Sequence, residues 1–240
     1  MDMLEIEKLR VSLFADGANL DEIKNQKMNP LVKGFTTNPT LMRSAGVTNF
    51  LEFAKQASEI SFPLPISFEV IADSLDEMER QAIILSNLAP NIFVKIPVTN
   101  TQGVSTNTLI RKLNSLGIKL NITAIFTLLQ VMELVECLKN PIPSVVSIFA
   151  GRIADSGIDP MPLMKSAREL VGNREHIKIL WASPRELLNI IQAEDANCDI
   201  ITMTQDLWKK IGSLGKNLEE FSLETVQMFY RDALSSKYEL

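Results

Sequence analysis

The chain has 240 residues, 46% of them hydrophobic, with 24 basic against 29 acidic side chains, a formal charge of −5 and one histidine. That length and apolar fraction suit one domain around one large core. No run of Lys and Arg could track a nucleic-acid backbone, no apolar stretch approaches the ~20 residues that span a bilayer, and the opening MDMLEIEKLR is charged rather than leader-like, so the expectation is a cytoplasmic protein with neither nucleic acid nor membrane as partner.

Apolar runs of β-rich composition alternate with helical periodicity. The first strand is expected at Val11–Asp16 and the second at Lys33–Thr36, running into Thr37-Asn38-Pro39. Pro39 suits a first helical position and Gly46 a helix stop. A third strand, Pro65–Val70, precedes a helix at Leu75–Leu88, where Ser74 and Glu77 have the spacing of a capping box. The fourth is Ile92–Pro97. Gly117 suits a stop before the fifth, Ile118–Thr123, which leads into a helix at Leu128–Leu138. The sixth, Val145–Phe149, precedes a helix at Leu163–Val171 that stops at Gly172. The seventh, Ile177–Ala182, meets a second capping-box spacing, Ser183 with Glu186, and a helix at Glu186–Ala193; the eighth is Asp199–Met203. Beyond it, Leu218–Leu240 reads as an extra helix with Ser222 as cap, Phe221 and Val226 as staple, and apolar residues at 223, 226, 230 and 234. It either packs on its own barrel or reaches a neighbouring subunit.

Strands that are apolar almost throughout are those of a parallel sheet covered by helices, and eight such units favour closure. The expected fold is therefore α/β: a single (β/α)8 TIM barrel, with a core at about residues 11–212 and a C-terminal extension at about 218–240. Neither repeats nor a Pro- or Ser-rich linker divides it, and no GxGxxG follows the first strand. Cys137 and Cys198 lack the close Cys or His companions of a zinc site and are expected as buried thiols.

Barrels carry their reacting groups at the C-terminal ends of the strands. There the sequence places Asp16, Thr37, Asn38, Glu69, Lys95, Asn121, Thr123 and Ser147, with Arg152 and Arg185 in the loops after strands six and seven. Lys95 stands out, because an ammonium on an interior strand face is costly unless paired or deprotonated, and desolvation improves an amine as a nucleophile. Alternation puts Phe93, Lys95 and Pro97 on one face. Lys95 could equally snorkel or pair with Glu69, and Glu69 could be a structural partner or a proton carrier. Asn38 and Asn121 could cap helices or tie turns, and Asp16 before Gly17 could be a turn residue. Ser183 has a capping role open to it, compatible with phosphate at the same helix start. The two arginines are surface groups or a bidentate phosphate grip.

Taken in order, Ala-Asp-Gly-Ala-Asn-Leu-Asp-Glu-Ile from 15, Gly-Phe-Thr-Thr-Asn-Pro-Thr-Leu from 34, Ser-Phe-Glu-Val from 67, Val-Lys-Ile-Pro-Val-Thr from 94, Asn-Ile-Thr-Ala-Ile-Phe-Thr from 121, Ser-Ile-Phe-Ala-Gly-Arg-Ile from 147 and Ala-Ser-Pro-Arg from 182 resemble the transaldolase family, including its fructose-6-phosphate aldolases, from about Val11 to Trp208. The resemblance implies a Schiff-base enzyme acting on sugars or sugar phosphates, without cofactor or metal, and a homo-oligomer. It implies Lys95 as the imine-forming nucleophile and Asp16 as the base of the carbon–carbon step. Glu69 and Thr123 would hold a proton-shuttling water, Asn38, Asn121 and Ser147 would grip substrate hydroxyls beside Thr37 and Phe149, and Arg152, Ser183 and Arg185 would receive phosphate. His176, before strand seven, is expected to be structural. The aldolase branch tends to carry Gln and Tyr where this chain has Glu69 and Phe149, which favours transfer over simple cleavage, although the short length leans towards the aldolases. Gly17 and Pro184 also depart from the usual pattern of Thr or Ser and an aromatic, which bears on the phosphate end. A free-dihydroxyacetone aldolase and a non-catalytic sugar-phosphate-binding barrel are the rival readings.

Overall fold

In the computed structural model, which describes Ile6 and residues 8–236, eight parallel strands close into one barrel in chain order. They are β1 (Ser12–Asp16), β2 (Val32–Thr36), β3 (Ile66–Glu69), β4 (Ile92–Pro97), β5 (Leu120–Ile125), β6 (Ser144–Ile148), β7 (Ile177–Trp181) and β8 (Ile200–Thr204). The helices are α1 (Leu20–Lys27), α2 (Pro39–Ser44), α3 (Phe50–Ser61), α4 (Leu75–Ser86), α5 (Asn107–Ser115), α6 (Leu128–Cys137), α7 (Ala150–Asp155), α8 (Met161–Val171), α9 (Leu188–Asp195), α10 (Gln205–Lys210) and α11 (Leu218–Ser236). This is the (β/α)8 barrel expected, with strand limits shifted by one or two residues. The connection between β2 and β3 carries two helices. The charged start, residues 1–5 and 7, and the last four residues of the expected C-terminal helix lie outside the described residues.

Strand alternation sorts side chains into two cores. One parity, exemplified by Val94, Ile96, Ile122, Val146, Ile179 and Trp181, is buried beneath the helices. The other faces the barrel axis, where Phe14, Val145, Leu180, Ala182 and Ile200 form a separate small cluster with Phe93 and Phe149 against it. Phe14 fits because β2 offers Gly34: a Cβ there would lie 2.4 Å from the ring's Cζ. In β5 the register with β6 slips between Ile122 and Ile125, and Ala124 sits in the left-handed region at φ 61°. Such a bulge re-aims neighbouring side chains, here Thr123, at the C-terminal end of the barrel strands. The opposite end holds a larger cleft of about 820 Å³. Ion pairs rim it: Arg168 to Asp199 at 2.9 Å, Lys178 to Asp199 at 3.2 Å and Arg10 to Glu194 at 2.7 Å. In barrels that face carries stability.

Gly46, Gly117 and Gly172 do follow helices with positive φ, the conformation that favours glycine. Three expected caps are corrected. Ser74 precedes α4 without a side-chain cap bond, and Glu77 instead accepts both Arg80 hydrogen bonds at 2.8 and 2.6 Å. Ser183 does not cap a helix: its φ is 57°, and α9 begins only at Leu188. The amides of Arg185 and Glu186 donate instead to Asn189 Oδ1 at 2.7 and 3.2 Å. Ser222 lies inside α11, whose first turn is capped by Asn217 Oδ1, accepting from the Glu219 and Glu220 amides at 2.9 and 3.1 Å. Phe221 and Val226 both stay exposed, so no staple forms. None of the side chains of α11 over Leu218–Ser236 is buried. Cys137 and Cys198 are free buried thiols, and burial pushes Cys198 up to about 12. His176 Nε2 lies 3.1 Å from the Leu138 carbonyl, tying the β7 approach to the end of α6.

Candidate active site

A cavity of about 460 Å³ opens at the C-terminal ends of the strands, and Asp16, Asn38, Glu69, Lys95, Asn121, Thr123, Ser147, Phe149, Arg152 and Ser183 all line it. Ten residues chosen along the sequence thus converge on one hollow. Their convergence follows from register. Glu69 pairs with Lys95 across β3 and β4, and Lys95 with Asn121 across β4 and β5. One inward-facing row therefore presents a carboxylate, an amine and an amide side by side.

Lys95 is 7% exposed. Its Nζ donates to the Thr37 carbonyl at 2.9 Å and lies 3.1 Å from Glu69 Oε2. Thr37 does not line the cavity. Buried, it donates its hydroxyl to the Ser67 carbonyl at 2.8 Å, which fixes the carbonyl that receives Lys95. Neutralising a buried ammonium this way offsets the desolvation that would otherwise expel it.

Asp16 Oδ1 accepts from Thr36 Oγ1 at 2.8 Å, and Thr36 is joined in turn to Thr202 of β8, on the other side of β1. Removal from water pushes the Asp16 carboxyl above its ordinary range; Lys95 and the Thr36 hydroxyl pull the other way, and Glu69 adds to the rise. A carboxyl raised towards neutrality is suited to taking and returning a proton.

Asn121 is held on both sides, donating from Nδ2 to Ser67 Oγ at 3.0 Å and accepting at Oδ1 from Ser147 Oγ at 2.6 Å. Its amide orientation is fixed by that pair of partners. Thr123 Oγ1 is buried with no protein hydrogen-bond partner and faces the cavity. Asn38 does cap α2, its Oδ1 accepting from the Leu41 amide at 2.9 Å, while lining the cavity as well. At the far rim the Arg152 guanidinium lies 5.3 Å from the centre of the Phe149 ring, and Phe149 meets Phe126 edge-on at 5.6 Å.

Arg185, like Thr37, was expected in the site and does not line the cavity. Its Nε donates to Asp155 Oδ1 at 3.0 Å, and its second nitrogen bonds the other carboxylate oxygen. The loop itself is tightly seated: a Cβ on Gly151 would lie 1.6 Å from the Ser183 carbonyl oxygen, so only glycine lets the β7 loop rest on the start of α7. Sequence reasoning missed Thr36, Thr202, Ser67 and Asp155. The first three are polar residues at inward positions of otherwise apolar strands, and that parity was the available signal. No cluster of three or more His, Cys, Asp or Glu that could hold a metal occurs among the described residues.

Residues 13–239 match the family described as Transaldolase/Fructose-6-phosphate aldolase. The chain belongs to the transaldolase and fructose-6-phosphate aldolase family. It is thus an enzyme, a transaldolase or a related aldolase. Among family members, a probable transaldolase from Maridesulfovibrio salexigens is 34% identical over 196 residues, covering 80% of this chain and 86% of the relative. A probable transaldolase 2 from Listeria monocytogenes is 34% identical over 204 residues, covering 85% and 89%. Among solved structures, a putative dihydrodipicolinate synthetase from Pseudomonas aeruginosa superposes with a TM-score of 0.60 at 11% identity, over 81% of this chain and 70% of that one. Dihydrodipicolinate synthase from Rhodopseudomonas palustris gives 0.54 at 12%, over 80% and 69%. These two share the barrel fold. No helix among the described residues is long and apolar enough to cross a membrane.

Proposed function

We propose that this family member moves a dihydroxyacetone unit from a ketose phosphate to an aldose acceptor through an imine on Lys95. The observation that carries the reading is the buried amine of Lys95 set 3.1 Å from Glu69, within a cavity it shares with Asp16 and Thr123. To attack the ketose carbonyl the amine must surrender a proton, and Glu69 is within reach to receive it. Loss of water from the carbinolamine then gives the iminium, with Glu69 and the unpartnered Thr123 hydroxyl framing the water that carries protons. As Asp16 takes the proton from the hydroxyl on the fourth carbon, the bond between the third and fourth carbons breaks. Its electron pair flows into the iminium and leaves an enamine on Lys95. The departing fragment is an aldehyde. The enamine then adds to an acceptor aldehyde, Asp16 returns its proton to the new hydroxyl, and water frees the ketose from Lys95.

Asn38, Asn121 and Ser147 are the hydroxyl-binding groups in this reading, with Thr37 holding Lys95 in place. Arg152, Ser183 and Arg185 form the phosphate end. Phe149 supplies an apolar wall without a phenol to activate water at the covalent intermediate, which favours transfer over release of free dihydroxyacetone. We further propose one barrel domain with its helical extension, a cytoplasmic setting in pentose phosphate metabolism, and a homo-oligomer. The last rests on α11, which leaves Phe221, Leu223, Val226, Phe229, Tyr230 and Leu234 exposed, more apolar side chain than a solitary helix leaves in water.

The test is borohydride reduction in the presence of fructose 6-phosphate, read by intact mass and peptide mapping, with Lys95→Met as blank. A three-carbon adduct on Lys95 is expected, and turnover should depend on an added acceptor aldehyde. Turnover without acceptor would turn the reading to the aldolase. No adduct with any ketose in a panel would leave the non-catalytic barrel.

A further inference from the structure

We infer that Asp155 is a specificity-determining residue, an internal competitor that holds the guanidinium of Arg185 until a substrate phosphate displaces it; this rests on the sugar-phosphate reading given above. The backbone on either side of Arg185 is pinned. Upstream, the Ser183 carbonyl is pressed against Gly151. Downstream, the Arg185 amide donates to Asn189 Oδ1 at 2.7 Å, and Asn189 is itself buried. Only the side chain is left to move, and both of its bonds go to Asp155. That pair lies in the open, with side-chain exposures of 48% for Arg185 and 51% for Asp155, so water and salt screen it.

Asp155 and Arg152 belong to the same short helix, three residues apart and hence on one face. Arg152 faces the cavity while Asp155 draws Arg185 off its rim. The cavity thus presents one arginine rather than two. A phosphate bound by Arg152 carries nearly two negative charges and offers three acceptor oxygens where Asp155 offers two. It is therefore the stronger partner for the same guanidinium. In this inference the exchange of one anion for the other is a movement of the Arg185 side chain, since its backbone is held. A ketose lacking phosphate leaves the pair intact and gains nothing from it, so Asp155 sets how strongly the protein prefers phosphorylated over plain sugars.

The experiment measures inorganic phosphate binding by calorimetry for the full chain, Asp155→Asn, Arg185→Gln and the double variant, alongside KM for fructose 6-phosphate and for fructose. Asp155→Asn should tighten phosphate binding and lower KM for the phosphorylated ketose by about two- to fivefold, the range of an exposed ion pair, with fructose unchanged. In the Arg185→Gln background the same substitution should do nothing. Unchanged or weaker phosphate binding in Asp155→Asn overturns the inference, as does an equal gain without Arg185, which would mean mere loss of a negative charge near the site. Absence of turnover with every sugar would sink the sugar-phosphate reading separately, since the phosphate titrations decide the role of Asp155 without it.

Discussion

Gly151→Ala is the sharpest perturbation the geometry offers. The new Cβ would stand 1.6 Å from the Ser183 carbonyl oxygen, and contacts under 3.0 Å are essentially never tolerated, so the β7 loop must retreat by about 1.4 Å. The obstacle is backbone and cannot be relieved by a rotamer. Retreat would strain the Gly151 amide's 3.2 Å bond to the Ala182 carbonyl and the left-handed Ser183. Overpacking of this kind costs about 1–3 kcal/mol, and at roughly 2–4 °C per kcal/mol for a chain of this size Tm should fall by several degrees. Function should suffer more than stability, because a displacement of about 1 Å can cost on the order of 100-fold in rate. The loss should fall on fructose 6-phosphate, whose phosphate end the loop is proposed to receive, while the imine on Lys95 still forms with a short ketose. Thermal melts, steady-state kinetics with both sugars and borohydride trapping test this together. A variant with wild-type Tm and wild-type KM for the phosphorylated sugar would refute the reasoning, as would equal losses on both sugars.

Asp16→Asn is expected to lower turnover by at least about 100-fold, the scale of a lost general base, yet to stabilise the fold at neutral pH. Asp16 titrates above its ordinary range mainly through burial. Between the unfolded and folded values the native state therefore holds a proton the unfolded chain has released, and wild-type stability falls as pH rises through that window. Asn has no such proton, so its advantage should grow in urea melts as pH rises above the ordinary carboxyl value of about 4; an advantage that shrinks with rising pH would contradict the assignment. For the oligomer, the full chain should sediment as a multiple of its mass and a chain ending at Asn217 as a smaller species. A monomeric full chain would remove the proposal.

What could be read in advance was whatever alternation along a strand decides. Lys95 among Phe93, Val94 and Ile96 has its face dictated by a period of two, and the barrel then brings Glu69 and Asn121 beside it at fixed register. Thr36 and Thr202 obeyed the same rule but were masked by apolar neighbours that suggest a fully buried strand. Ser183 failed for a different reason. Its spacing to Glu186 is that of a cap, but the pressure of its carbonyl on Gly151 forces a left-handed turn and postpones the helix to Leu188, a tertiary contact that local spacing does not encode. Asp155 was invisible because its partner, Arg185, lies 30 residues away in a loop whose course depends on that same contact. For α11, amphipathic periodicity established the helix, but what its apolar side meets depends on what lies outside the chain's own barrel.

The separation of two cores by the strand wall has an evolutionary consequence. Hydrophobic residues that hold the protein together sit outside the staves, under the helices, whereas the residues proposed to contact a sugar project inward above the small plug of Phe14, Val145, Leu180 and Ile200. Substitutions at the mouth therefore exchange chemistry without opening voids in the mantle. Selection can retune such a mouth for a new sugar one side chain at a time, with the mantle left as inherited.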